Sequence, residues 1–182
     1  MLTECNVRGN YLNTESATAL AKVATEKGVM LSGIKHDQTE ADFSNQSLKP
    51  ADGILIASDL MVSSAVTSLD LSYNNLDAEA GKALGAALAV NSALTSIDVG
   101  GNDLNEAAAL GIVRAVKSRD KMTSLGLAGC KIGPTGAKEI AEYVKGSSAL
   151  TKLDVQNNFL GDAGEQALQD AVKSRNGFEL LV

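Results

Sequence analysis

The sequence predicts an α/β solenoid, a right-handed superhelix of alternating strands and helices bent into a horseshoe arc, with a parallel sheet on the concave side and helices on the convex side. Three observations carry this. The pattern L-x-x-L-x-L-x-x-N-x-L recurs every 28 residues, in 66–76, 94–104, 122–132 and 150–160. Between recurrences, apolar residues follow helical spacing. The chain is 45% hydrophobic but only 3% aromatic, without tryptophan, which suits thin stacked layers better than one broad core. A fixed period of this size is the mark of stacked repeats.

The elements follow in order. The first repeat is Leu2-x-x-Cys5-x-Val7-x-x-Asn10-x-Leu12. Asn13 stands where a helix cap belongs, and a helix is predicted over 14–27 with Ala17, Leu20, Val23 and Ala24 inward. Gly28 ends it. The period then breaks, with 36 residues between the first two strands instead of 28. The excess falls in 28–38, an irregular insertion with a short extended run from Met30 to Ile34 and a turn over Lys35 to Gln38. Loops tolerate insertions cheaply, but irregular connections also carry function.

Repeat two, 41–48, is degenerate, with Gln46 in the Asn position. Pro50 opens its helix, and Ile54, Ile56 and Leu60 are expected inward. Repeats three to six keep strict register. Their cap positions read Asp77, Asn105, Gly133 and Gly161. Their inward helix pairs are Leu84/Leu88, Ile112/Val116, Ile140/Val144 and Leu168/Val172. Residues 1–182 therefore read as a single repeat domain, with repeats starting near 2, 38, 66, 94, 122 and 150 and a partial strand at 178–182. Both termini fall in strands without polar caps, so the chain reads as a fragment of a longer protein.

In each repeat the apolar strand residues point into the core and those between them face solvent. One strand cannot bury its apolar side alone; stacking the next at ~4.8 Å continues the core. Helices are wider than that spacing, so the stack curves with its sheet on the inside. The amide after each strand satisfies backbone groups left unpaired where the chain turns. That ladder reads Asn10, Gln46, Asn74, Asn102, Cys130, Asn158. Cys5 and Cys130 lie on the first and fifth repeats, on the order of 20 Å apart, beyond disulfide reach. Both are expected to be free thiols acting as small buried hydrophobes in an intracellular, cytoplasmic protein.

These repeats resemble leucine-rich repeats of the ribonuclease-inhibitor type, in which a strand and a full helix alternate with a period close to this one. The resemblance covers the whole chain except the insertion. It implies a protein partner bound on the concave sheet or its rims, as in ribonuclease inhibitors, the activators of the Ran GTPase and innate-immune sensors. It implies no catalytic chemistry, since members of that class share a surface. Two alternatives stay open: a structural or self-associating segment of a larger repeat protein, forming homo-oligomers through its uncapped edge strands, and a GTPase regulator by analogy with the Ran activators.

The solvent-facing strand positions form columns. The central one is Asn6, Asp42, Asp70, Asp98, Gly126, Asp154, flanked by Glu4, Glu40, Ser68, Ser96, Ser124, Lys152 and by Arg8, Ser44, Ser72, Gly100, Ala128, Gln156. Asp42, Asp70, Asp98 and Asp154, with Glu40 and Tyr73, are the candidate partner-binding residues, facing a partner with a basic surface. The alternative is a solvated acidic row. Basic residues gather at the helix-to-strand loops (Arg114, Lys117, Arg119, Lys121, Lys173, Arg175), reading as helix-dipole complements or as an electropositive rim. A net charge of -6 argues against nucleic acid. No apolar run of about 18 residues suggests a membrane span, and the N-terminus lacks the basic and apolar regions of a signal peptide. Enzyme readings fail on inventory. The single histidine, His36, sits in the insertion, and His36, Asp37, Glu40 and Asp42 match no metal-ligand spacing. No phosphate-cradling glycine loop with a lysine precedes a helix. No cofactor is expected.

Overall fold

The computed structural model describes residues 2–182. Among them, helices and strands alternate: α1 (Thr14–Lys27), β1 (Glu40–Asp42), α2 (Pro50–Val62), β2 (Ser68–Asp70), α3 (Ala78–Val90), β3 (Ser96–Asp98), α4 (Glu106–Lys117), β4 (Ser124–Gly126), α5 (Pro134–Gly146), β5 (Lys152–Asp154), α6 (Gly161–Val172) and β6 (Glu179–Leu181). The strands form one parallel sheet in the order β1 to β6. Register follows the sequence period, as in Leu69↔Ile97 and Ile97↔Leu125. Only the last step is a residue shorter, pairing Lys152 with Glu179.

The core lies between sheet and helices. Leu69, Ile97, Leu125 and Leu153 point into it from the strands, and Leu84, Leu88, Ile112, Val116, Ile140, Val144 and Leu168 from the helices. Val172, expected beside them, is only partly buried. Asn13, Asp77 and Asn105 cap their helices by accepting main-chain N–H bonds. Gly133 has no side chain to offer, and its own N–H donates instead to Glu106 Oε1 of the preceding helix, at 2.9 Å. Gly161 is not a cap as expected: it opens α6 with a left-handed φ of 62°.

The amide ladder is present in its central members. Asn74 Nδ2 donates to the Phe43 and Leu71 carbonyls at 2.8 and 2.9 Å, while its Oδ1 accepts from the Gln46 and Leu48 N–H groups. Asn102 and Asn158 donate to the matching pairs of carbonyls, and each accepts one N–H, from Leu76 and Ile132. Cys130 reaches the Val99 and Ala128 carbonyls only at 4.0 and 3.7 Å. A second ladder, at the opposite loops, escaped the sequence reading. Asn91 donates to the Leu60 and Ser63 carbonyls and accepts from the Ala93 and Leu94 N–H groups. Two periods on, Ser147 Oγ accepts from the Leu150 N–H, and then Arg175 donates to the Val144 and Leu150 carbonyls.

The first repeat departs from expectation. Its strand residues do not join the six-stranded sheet. Cys5 and Val7 donate to the Met30 and Leu31 carbonyls at 2.8 and 2.9 Å, and Met30 donates back to Thr3. The extra residues of 28–38 supply this partner run, with Met30, Leu31, Ser32 and Ile34 buried. Asp59 anchors the run: its carboxylate accepts from the Leu31 N–H, the Ser32 N–H and the Ser32 hydroxyl, at 2.6, 2.8 and 2.6 Å. Later helices place Ala87, Ala115, Tyr143 and Ala171 at this position. Because the first strand pairs outside the sheet, Cys5 is exposed rather than buried. Leu20 and Val23, expected inward, are 40% and 56% exposed, and α1 packs through Ala17 and Ala24.

One seam differs from the rest. α4 and α5 meet over a smaller surface than other adjacent helices. Tyr143, standing where neighbouring repeats have alanine, is buried, and its hydroxyl has no protein partner. A bidentate Arg114–Glu139 pair, at 2.6 and 2.8 Å, crosses the seam.

Candidate protein-binding face

Asp42, Asp70 and Asp98 occupy matched positions on β1, β2 and β3. Asp154 lies beyond Gly126, which interrupts the row on β4. Each carboxylate turns back to accept the N–H two residues on: Ser44 at 2.9 Å, Ser72 at 2.8 Å, Gly100 at 2.8 Å and Gln156 at 3.0 Å. This Asx turn fixes where the chain leaves the strand. The aspartates are therefore structural as well as solvent-facing, and these bonds hold the row in place. The N–H of Ser44 holds the Asp42 carboxyl below the ordinary range. Burial pushes Asp98 the other way, with the charges of Asp70 and Asp154 adding to the effect against the bond from Gly100 and the charge of Lys152.

Glu40 is exposed in the flanking column, in register with Ser68. At the far end of that column Lys152 pairs with Glu179 at 2.9 Å. Tyr73 follows β2, in a position that takes a left-handed backbone in every repeat: Gly9, Asn45, Tyr73, Gly101, Gly129 and Asn157 all have φ between 53° and 76°. Glycine and asparagine tolerate this conformation; a bulky residue there is strained. Tyr73 nevertheless adopts it at φ 55° with 70% of its surface exposed. Its ring covers Gly101 of the next repeat, where an added β-carbon would come within 2.7 Å of Cδ1.

The rim proposed from the basic loop residues does not form as a unit. Arg114 is paired with Glu139, Arg175 turns inward onto carbonyls, and Arg119 is half-buried. Two further exposed aromatics, Tyr11 and Phe159, were missed as surface features. Each directly follows its ladder amide, Asn10 or Asn158, and that shared offset was the available signal. His36 Nε2 lies 3.3 Å from the Thr3 carbonyl, and Asp37 is exposed. Among the described residues no group of three or more histidine, cysteine or acidic side chains could hold a metal. No helix among them is long and apolar enough to cross a membrane.

The profile of the Leucine Rich repeat family matches residues 62–85 and 121–141, each spanning a strand, the loop after it and the first part of the next helix. The fold is that of the leucine-rich repeat. Among solved structures, this chain is similar to the actin-binding site 2 of leiomodin-1, at 17% identity and a TM-score of 0.62, over 90% of this chain and 92% of that one. It is also similar to the C-terminal domain of tropomodulin from Caenorhabditis elegans, at 11% identity and a TM-score of 0.47, over 94% and 83%. No curated protein matches the repeat protein by sequence.

Proposed function

We propose that residues 1–182 act as one non-catalytic domain of the ribonuclease-inhibitor-like class, binding a protein partner with a basic surface in a reducing, intracellular setting. The contact is made by Asp42, Asp70, Asp98 and Asp154, with Glu40 beside them and Tyr73 as the anchor. The observation that carries this reading is Tyr73. A large aromatic in a strained left-handed slot, left in solvent beside an acidic row, is costly for folding and suited to binding. The row adds long-range attraction for a cationic surface. The leiomodin domain that shares this fold is an actin-binding site, an instance of the scaffold serving protein recognition.

The test is affinity capture from cell extract with the wild-type chain, Tyr73→Asn and Asp70→Lys, with circular dichroism confirming that all three fold. A bound protein lost in both variants and weakened by salt supports the reading. A bound set indifferent to both substitutions and to salt removes it.

A second reading is self-association through the open end of the stack, on the exposure of Leu2, Leu20 and Val23. Light scattering across a concentration range tests it: a mass that grows with concentration and falls back in Leu20→Glu supports it, and a constant monomer mass excludes it.

A further inference from the structure

The junction of the first two repeats holds a cavity of about 340 Å³ between the loop 8–12 and the segment 46–52. Lys49 stands immediately before α2, where later repeats place the short residues Asp77, Asn105 and Gly133. A lysine side chain carries no acceptor and cannot cap a helix. Capping passes to Asp52, where later helices have Ala80, Ala108, Gly136 and Gly164. Asp52 is 7% exposed. One oxygen accepts from the Lys49 N–H at 2.9 Å and the other from the Gly9 N–H at 2.8 Å. This exchange frees position 49 for a cation and ties the two walls of the cavity together.

A second cation faces the same space. Arg8 fills a slot that later repeats give to Ser44, Ser72, Gly100, Ala128 and Gln156. Its guanidinium lies 4.2 Å from the centroid of the Phe43 ring, and its Nη1 is buried without a protein acceptor. The Lys49 ammonium lies 4.6 Å from the centroid of the Tyr11 ring. Stacking on aromatic faces restrains both heads, so engaging them loses little further side-chain freedom. The one carboxylate of the cavity, Asp52, has both oxygens committed to main-chain donors.

We infer that this cavity is a binding site for a phosphate group, free or carried on a small molecule. Two cationic heads meet it from opposite walls, and a tetrahedral oxyanion presents oxygens to both at once. The volume suits a small-molecule site, and Tyr11, Leu12 and Leu48 give it an apolar side.

The experiment is an NMR titration of the labelled chain with sodium phosphate at constant ionic strength, following the Gly9 and Ser47 amides, with sodium acetate as the control. Saturable shifts with phosphate are expected, and affinity falls at least about fivefold in Lys49→Gln and in Arg8→Met. Both variants keep the apolar stem. Should Arg8→Met fail to fold, Lys49→Gln decides, since it alters an exposed side chain. Equal shifts with acetate, or phosphate shifts unchanged in the folded variants, would overturn the site.

Discussion

The Asp98 carboxylate lies over Gly126 of the adjoining strand, in space that a side chain at 126 would fill; a β-carbon added there would collide with it. The gap in the acidic row and the burial of Asp98 are thus one feature. Because Gly126 offers no side chain, the neighbouring carboxylate leans into the vacancy, losing water while keeping Asp70 and Asp154 as like-charged neighbours.

Asp98→Asn should therefore stabilise the fold at neutral pH. The native Asp98 binds a proton more readily than the unfolded chain does, so its ionised form is penalised, and the penalty disappears as pH falls through the raised value. Asparagine retains an oxygen for the Gly100 N–H and removes the charge. A melting temperature higher by about 1–3 °C at pH 7, with the difference closing as the pH falls into the ordinary carboxylate range, is the expected result of paired thermal melts.

Asp120 should behave in the opposite way. The Ser148 and Ser147 hydroxyls hold its carboxyl at about 2. A depressed value means stabilisation that is complete above the ordinary carboxylate range and is lost as pH falls through about 2. Carboxyl-carbon NMR should place its midpoint there. Asp120→Ala should lower the melting temperature at pH 7 and lessen its fall in strong acid. A midpoint in the ordinary range would show that the two serines do not hold it.

Cys130 carries a thiol pushed up to about 12 by burial, so it has no accessible thiolate at neutral pH. A chromogenic disulfide reagent should titrate Cys5 quickly and Cys130 only after denaturation. Cys130→Asn should restore the missing rung, supplying a donor for Val99 and Ala128 carbonyls and an oxygen for the Leu104 N–H. The gain should be about 1 kcal/mol, read as a melting temperature about 2–4 °C higher.

Asp59→Ala should be the most damaging of these changes. It strands the Leu31 and Ser32 donors inside the protein, at a cost of about 2–4 kcal/mol. Hydrogen exchange should show loss of protection at Leu31 and Ser32 first, followed by Cys5 and Val7, which pair with the same run. Uniform loss across the sheet would mean that the run has no independent anchoring.

Much of this was legible because the fold is periodic. Leu69, Ile97, Leu125 and Leu153 occupy one column in the sequence and one line in the core, and the aspartate row follows from the same arithmetic. What escaped was whatever broke the period. Counting residues could not say that Met30 and Leu31 would pair with Cys5 and Val7, because that pairing depends on a buried carboxylate, Asp59, in a helix position where an apolar or small residue is the rule. Nor could pattern separate Arg175, folded onto carbonyls, from an exposed basic rim, since the distinction lies in the rotamer. Tyr73 could be named as a surface aromatic; that its backbone is left-handed became clear only when Asn45, Gly101 and Asn157 were found in the same conformation.

The seam beside Tyr143 gives the molecule an uneven stiffness. A spring of equal coils shares a load evenly, but one wide coil takes most of the extension. Here that coil sits between α4 and α5, beside the buried Tyr143 ring, where the exposed Arg114–Glu139 pair crosses a seam with little close packing. In a chain whose repeats hold only their neighbours, pulling or heating should open this place first. Asp98 belongs to the block before it and Asp154 to the block after, so the spacing of the acidic row becomes a strain gauge for the whole arc, and a partner that grips both ends would feel the protein's curvature as a change in fit.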